Sequence, residues 1–325
     1  MNLSTTLKLN DGNEMPIFGL GTWQSNSGEV SSAIKAALDY GYRLLDCAHV
    51  YQNQPDIGEA LTKYFKSNEK NIQRKDVFIT SKVWNTYHSY EAAVGEIDLI
   101  LKELNLNYID LILIHWPMGF KEGTGEWFPQ DPSNPSKVLF SDVDYLETWR
   151  ALEAKLSEGK ILSIGVSNFG SAQIRRILDV CKTKPAVNQV ELHPFFQQKE
   201  LREFCKREGI ILTAYSPLGN PGGLPEAFRK KDDPSIFIDP TLSELAKKYN
   251  KTNAQVALRG LIQLGVSVIP KSVNANRIRE NADIFDFELD AEEMRRFEAL
   301  DCGRRFVDLW ARDGHHPHFP WQTKE

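Results

Sequence analysis

Leu44-Leu45-Asp46-Cys47-Ala48-His49-Val50-Tyr51 is a short apolar run that stops on a carboxylate and then delivers a tyrosine. Tyr42 to Leu45 reads as a buried parallel strand, and Pro55 opens a helix that ends near Lys66. A carboxylate where a buried strand stops is costly unless it meets a cation or hydrogen-bond donors. Two later strands end in the same manner: Val77 to Ser81 delivers Lys82, and Ile109 to Ile114 delivers His115. Asp46, Tyr51, Lys82 and His115 therefore gather at the C-terminal ends of neighbouring strands. In an eightfold β/α barrel that rim is where chemistry sits. Each residue alone has a plainer reading: Asp46–Lys82 as a structural ion pair, Tyr51 as a surface aromatic, His115 as a satisfied strand-end histidine. Their coincidence at equivalent positions is what a site requires.

The same alternation extends in both directions. Thr6–Leu9 and Met15–Ile17 flank the turn Asn10-Asp11-Gly12-Asn13 and read as a β-hairpin capping the barrel floor. Phe18 to Trp23 is the first barrel strand, and Gly28 to Tyr40 is a helix stopped by Gly41. After the His115 strand, residues 117–142 form a long excursion carrying Trp127 and Phe128, whose aromatics suit a binding wall. A helix from Asp144 to Glu158 leads to the fifth strand, Ile161 to Val166, which ends at Ser167-Asn168. Ser171 caps the next helix, to Cys181. Ala186–Glu191 and Ile210–Ala214 are the sixth and seventh strands, with a helix from Gln198 to Glu208 between them; a second long loop runs from Pro217 to Asp239. Helical pieces 240–249 and 253–264 lead to the eighth strand, Val266–Ile269, and a helix over 274–285. An extra helix spans 290–300, and the tail, 301–325, has no helical or strand periodicity. The expectation is an α/β protein: one (β/α)8 TIM barrel domain over 1–325, with an N-terminal β-hairpin.

Composition narrows the function. The chain has 325 residues, 26% charged, with a formal net charge of −5, which argues against nucleic acid or an anionic membrane as partner. No apolar run approaches the roughly 18 residues of a membrane span, and no signal peptide is visible at the N-terminus. Cys47, Cys181, Cys205 and Cys302 are far apart and form neither a zinc pattern nor a disulfide framework. A reduced, cytoplasmic protein is expected, acting as a monomer on a small molecule.

A tyrosine beside a lysine is a proton donor in waiting. An ammonium within reach favours the phenolate, so Lys82 is expected to make Tyr51 a better acid. A carboxylate holds the lysine, and a histidine nearby orients a carbonyl oxygen or shares the proton. No nucleophile stands beside a base, which disfavours acyl transfer. No metal is expected; His315-His316-Pro317-His318 is the only candidate and lacks carboxylates at helical spacing. A proton donor of this kind calls for a hydride source such as a nicotinamide. No G-x-G-x-x-G opens a helix, so a Rossmann site is absent, but the rim after strands seven and eight is a common phosphate site. Lys271-Ser272 and Arg277 fall there. The two cations suit a 2′-phosphate, hence NADP(H), although they also read as solvated surface charge. Ser167, Asn168 and Gln189 could hydrogen-bond a carboxamide, and Tyr215 could stack on a flat ring.

At these residues the chain resembles the aldo-keto reductase family, in its aldose and aldehyde reductase branch. The matching stretches run in family order over essentially the whole chain: Gly19 to Trp23, Asp46 to Asn53, Leu113 to Pro117, Gly165 to Phe169, Pro185 to Gln189 and Ile269 to Val273. The resemblance implies NADPH-dependent reduction of aldoses, small or aromatic aldehydes and some ketones, with Tyr51 as general acid, Lys82 and Asp46 behind it and His115 orienting the substrate. It implies cofactor contacts from Thr22, Trp23, Asp46, Ser167, Asn168, Gln189, Tyr215, Ser216, Leu218, Lys271, Ser272, Val273, Arg277, Glu280 and Asn281. Substrate contacts would come from Trp23, Val50, Trp84, His115, Trp116, Phe128, Leu309, Trp310 and Arg312. Family members that reduce steroid double bonds carry Glu at the His115 position, so His favours C=O reduction. Gln54 replaces a Glu of many relatives, with little effect expected. The resemblance also implies a C-terminal loop over the active site; in it Val307 falls where human-type aldose reductases have a pocket cysteine, and the stretch 312–320 looks more like an aldehyde reductase tail. Two alternatives follow: an aldehyde reductase preferring carboxylated aldehydes such as glucuronate, with Arg312 as their cation, or a non-catalytic NADP(H)-binding member of the family.

Overall fold

The computed structural model describes residues 1–67, 70–219, 230 and 232–321; most of the loop expected over 217–239, and the last residues of the tail, lie outside them. In chain order the strands are β1 (Thr6–Lys8), β2 (Glu14–Pro16), β3 (Leu20–Gly21), β4 (Leu44–Asp46), β5 (Phe78–Val83), β6 (Ile109–Ile114), β7 (Gln130–Asp131), β8 (Asn134–Val138), β9 (Ile161–Ser167), β10 (Val187–Glu191), β11 (Ile211–Tyr215) and β12 (Ser267–Val268). The helices are α1 (Glu29–Tyr40), α2 (Gln54–Ser67), α3 (Tyr90–Glu103), α4 (Tyr145–Ser157), α5 (Ser171–Leu178), α6 (Lys199–Glu208), α7 (Pro240–Tyr249), α8 (Asn253–Gln263), α9 (Ala275–Ala282), α10 (Ala291–Glu298) and α11 (Trp310–Asp313).

An eight-stranded parallel sheet runs β3-β4-β5-β6-β9-β10-β11-β12, each strand paired with the next. Its ends meet: the Gly19 N–H donates to the Val268 carbonyl at 2.9 Å, and the Val268 N–H to that of Ile17 at 3.0 Å. This is the closed (β/α)8 barrel that the alternation of strands and helices implied. Closure needs glycine at position 19, where a Cβ would lie 2.5 Å from the Leu44 side chain.

Strand periodicity decides which residues face inward. Leu45, Ile79, Ile112, Ile164 and Val190 join the large core shared with the helices, whereas their neighbours Leu44, Phe78, Leu111, Leu113 and Val187 form a separate cluster. That second cluster is the barrel interior. Counting on by twos puts Asp46, Lys82, His115, Ser167, Gln189 and Tyr215 on the same inward register, at its C-terminal end.

β1 and β2 close the other end. The Asn10 amide donates to the Pro185 carbonyl at 2.8 Å and that of Asn13 to the Leu162 carbonyl at 3.0 Å, while Leu9 and Met15 enter the interior cluster. The hairpin is thus the expected floor cap.

Several local expectations are corrected. Ser171 is the first residue of α5 rather than its cap. Gly170 takes the cap position, its N–H donating to Gln173 Oε1, and the helix stops at Leu178, short of Cys181. The excursion is not wholly irregular, since β7 and β8 pair as a small antiparallel ribbon. The tail contains the single turn α11, which lies against β8. Four residues are too few for periodicity to register.

Candidate active site

Lys82 is fully buried near the end of β5, and its ammonium has three close acceptors. It donates to Asp46 Oδ1 at 2.9 Å, to Asp46 Oδ2 at 2.8 Å and to the Cys47 carbonyl at 2.8 Å. The Tyr51 hydroxyl lies further out, at 3.5 Å. Gln189 Nε2 adds a fourth bond to the group, donating to Asp46 Oδ1 at 2.7 Å. The carboxylate that ends the β4 strand is therefore fully satisfied, as its burial demands. The Thr22 hydroxyl and N–H both donate to the Asp46 carbonyl, which locks the strand end itself.

Tyr51 sits on a 3₁₀ turn, His49–Tyr51, directly after β4. Burial first, and the Asp46 carboxylate second, push its hydroxyl well above the usual tyrosine range. This corrects the expectation that Lys82 would make it more acidic: burial and the Asp46 carboxylate outweigh the ammonium. The side chain is thus a protonated donor at any ordinary pH. The His115 ring packs edge-on to Tyr51 at 5.9 Å and to Trp84 at 5.1 Å. Burial, aided by the Lys82 charge, holds it well below the ordinary imidazole range, so it is neutral, and its Nδ1 is buried with no partner. A neutral imidazole can offer one N–H to an oxygen.

The strand ends on the far side of Asp46 carry interlocked polar groups. Ser167 Oγ donates to the Gln189 carbonyl at 2.8 Å, and the Tyr215 hydroxyl to Asn168 Oδ1 at 2.8 Å. Asn168, in the left-handed region at φ 63°, sends its amide to the His115 carbonyl at 3.0 Å. Ser216 and Leu218 follow on the next turn, with Ser216 at φ 49°. Beyond β12, Lys271 is exposed and donates to the Gln24 carbonyl at 3.0 Å. Asn274 caps α9 by accepting the Asn276 and Arg277 N–H groups. Arg277 and Glu280 are exposed on α9, Asn281 is buried on it, and Ser272 and Val273 lead into it.

An aromatic wall rises over this floor. Trp84, Trp116, Met118, Phe120, Val138, Leu309 and Phe319 form one buried cluster, with Val50 packed against it. Trp84 Nε1 donates to the Trp127 carbonyl at 2.8 Å, tying the excursion to β5. Trp23, Phe128 and Trp310 are exposed at the edge. Arg312 is clamped by Asp313, Nε to Oδ1 at 2.7 Å and Nη2 to Oδ2 at 2.6 Å, and lies over the Phe128 ring at 5.0 Å. The guanidinium is thus paired with its neighbour and stands over a wall aromatic.

Sequence reasoning missed four participants. Cys47 contributes its carbonyl, which no side-chain pattern signals. Glu191 is buried and accepts the Phe306 and Val307 N–H groups, pinning the tail over the barrel. Its inward register at the end of β10 was the available sign. The other two, Glu96 and its partner His49, are treated below. Gln54, treated as inconsequential, is fully buried and joins Ser81 Oγ to Glu103. Among the described residues no group of His, Cys, Asp or Glu has metal-holding geometry, and no helix is long and apolar enough to cross a membrane.

A protonated tyrosine backed by a buried lysine–carboxylate pair, with a neutral imidazole beside it on a barrel rim, has the parts needed to protonate an oxygen acquiring negative charge. The model of the Aldo/keto reductase family matches residues 17–301. The chain is 42% identical to aldo-keto reductase family 1 member A1-A of Danio rerio, over 98% of this chain and 99% of that one. It is 41% identical to aldo-keto reductase family 1 member A1 of Homo sapiens, over 96% and 97%. Among solved structures it is similar to the aldose reductase from Schistosoma japonicum, with a TM-score of 0.90, 41% identity and coverage of 99% and 100%. The chain belongs to the aldo/keto reductase family and is an oxidoreductase acting on aldehydes.

Proposed function

We propose that the enzyme reduces aldehydes to alcohols with NADPH, Tyr51 donating the proton to the carbonyl oxygen. The observation that carries this is the Tyr51 hydroxyl standing 3.5 Å from the buried Lys82 ammonium, which Asp46 holds at 2.8 Å. When bound, NADPH supplies the hydride. The residues present fit it: exposed cations at Lys271 and Arg277 beside a helix N-terminus suit a phosphate ester, and the amides and hydroxyls of Ser167, Asn168 and Gln189 suit a carboxamide. Thr22, Trp23, Tyr215, Ser216, Leu218, Ser272, Val273, Glu280 and Asn281 complete the cofactor site in this reading. His115, held neutral by burial, offers a ring N–H to the carbonyl oxygen and so aims it at the Tyr51 hydroxyl. Lys82 stabilises the negative charge left on Tyr51 after transfer, since an ammonium nearby favours the phenolate. Val50, Trp84, Trp116, Phe128, Leu309 and Trp310 exclude water from the reacting carbonyl.

The whole chain acts as one barrel domain and as a monomer in this reading. Its free cysteines favour a reducing, cytoplasmic setting. Arg312 supports a second reading, a preference for carboxylated aldehydes, because a guanidinium at a pocket rim pairs bidentately with carboxylates.

Tyr51→Phe keeps the ring and removes the proton. With glyceraldehyde, kcat should fall by about 10²–10⁴-fold while NADPH affinity survives. A mutant keeping most of its kcat overturns the assignment. Absence of NADPH oxidation by the unaltered protein over a broad aldehyde panel, despite tight cofactor binding, would leave the non-catalytic reading.

A further inference from the structure

The buried stripe of α3 is Ala93, Glu96, Ile97, Ile100 and Leu101, and one of its members is a glutamate. Its side chain is completely enclosed. An enclosed carboxylate costs several kcal/mol unless it is bonded, and the bonds of Glu96 converge on the reaction centre from behind. Oε1 takes a hydrogen bond from His49 Nδ1 at 2.7 Å. The Trp84 N–H is shared between both oxygens, at 2.9 and 3.1 Å. His49 begins the turn whose last residue is Tyr51. Trp84 directly follows β5, two residues beyond Lys82, and its ring flanks His115 at 5.1 Å. One carboxylate therefore ties the segment carrying the proton donor to the segment carrying the lysine and the pocket wall. His49 is itself sandwiched, with Trp127 edge-on at 4.8 Å and Glu103 Oε1 at 3.6 Å from Nε2. None of these bonds reaches Tyr51 directly, so Glu96 acts through position.

We propose that Glu96 is a positioning residue for the reaction, fixing the Tyr51 turn against the end of β5 through His49 and the Trp84 N–H. This rests on Tyr51 being the proton donor.

The pair also carries a pH signature. Burial alone would depress His49, but hydrogen bonds with Glu103 and Glu96 more than offset it and raise it to about 9. Burial pushes Glu96 up to about 7, against the pull of His49. The other titratable groups facing the pair are Glu103, on the same helix, and Tyr87, in the turn before α3. Gln54 of α2, which is neutral, bonds Glu103, and the Trp127 ring of the excursion packs on His49. Between about pH 7 and about pH 9 the pair is imidazolium and carboxylate. Below that range Glu96 takes a proton and can no longer accept from both His49 and Trp84 with full strength. His115, held neutral, adds no change of its own in this range.

The test measures kcat, KM and NADPH affinity from about pH 5.5 to about 9, for the unaltered enzyme, Glu96→Gln, Glu96→Ala and Tyr51→Phe. Glu96→Gln guards against a misfolded alanine variant, because its carbonyl still accepts one of the bonds. For the unaltered enzyme kcat should decline as pH falls through about 7, with NADPH affinity flat. Glu96→Gln should lack that decline, and Glu96→Ala should lose about 10- to 100-fold in kcat, the size of effect that a small misplacement of a catalytic group produces. A Glu96→Gln variant that keeps both the acid decline and the full kcat overturns the proposal. So does a loss of kcat matched by an equal loss of NADPH affinity, which would mark a general loosening. Should Tyr51→Phe itself retain its kcat, the underlying reading falls and this one with it; if only Tyr51→Phe is impaired, this one alone fails.

Discussion

Replacing Lys82 by methionine should destabilise the fold and abolish reduction, and a second substitution should separate the two effects. The ammonium is fully buried and makes three bonds of 2.8–2.9 Å, two of them to Asp46. Lys82→Met leaves Asp46 enclosed with only the Gln189 amide as side-chain donor. Breaking a buried ion pair from one side costs about 3–5 kcal/mol. The unfolding entropy of a chain this long is roughly 0.7 kcal/mol/K, so Tm should drop by about 4–7 °C. In Lys82→Met with Asp46→Asn the stranded charge is gone. Removing both partners of a pair is far milder than removing one, so the double variant should recover at least half of the lost stability. Its kcat should recover nothing, because the phenolate of Tyr51 still has no cation. The assay is thermal unfolding by circular dichroism beside glyceraldehyde turnover. Strict additivity of the two stability losses would refute the reasoning, since it would mean the groups do not interact. Recovery of kcat in the double variant would refute the role given to Lys82.

Two further outcomes bear on specificity. Two charge-assisted contacts to a phosphate, at about 1.5–3 kcal/mol each, imply at least a tenfold preference for NADPH over NADH in kcat/KM; Arg277→Ala should erode it, and equal use of NADH by the unaltered enzyme sinks the phosphate assignment. Arg312→Ala should raise KM for glucuronate or succinic semialdehyde about fivefold, the worth of roughly 1 kcal/mol, and leave KM for glyceraldehyde unchanged. Because Asp313 already clamps the guanidinium, an equal effect on both substrates would mean that Arg312 only braces the tail.

The contrast between Lys82 and Glu96 shows where sequence reading stops. The sequence by itself determined the barrel, since the alternation of short apolar runs with amphipathic helices is a local property. Helix starts were local too: Asp144, Asp239, Asn274 and Asp290 cap α4, α7, α9 and α10 through bonds spanning two or three residues. Polar residues placed where apolar strands end mark Asp46, Lys82 and His115 in the sequence, because a charge there needs a partner. The family motifs added the residues proposed to hold the cofactor. Only the tertiary structure decided how the charges are shared. Lys82 donates its close hydrogen bonds to Asp46 and Cys47, with the Tyr51 hydroxyl further out at 3.5 Å, an arrangement set by the pairing of β4 with β5 across 36 residues of chain. The carboxylate–imidazole pair of Glu96 and His49 spans 47 residues, and the bonds from Glu191 to the tail span 115 and 116. Periodicity says which face of α3 is buried; it does not say that a glutamate on that face will find an imidazole and a backbone N–H. That depends on two strand ends brought side by side, and a contact between distant segments is a property of the closed barrel rather than of either segment.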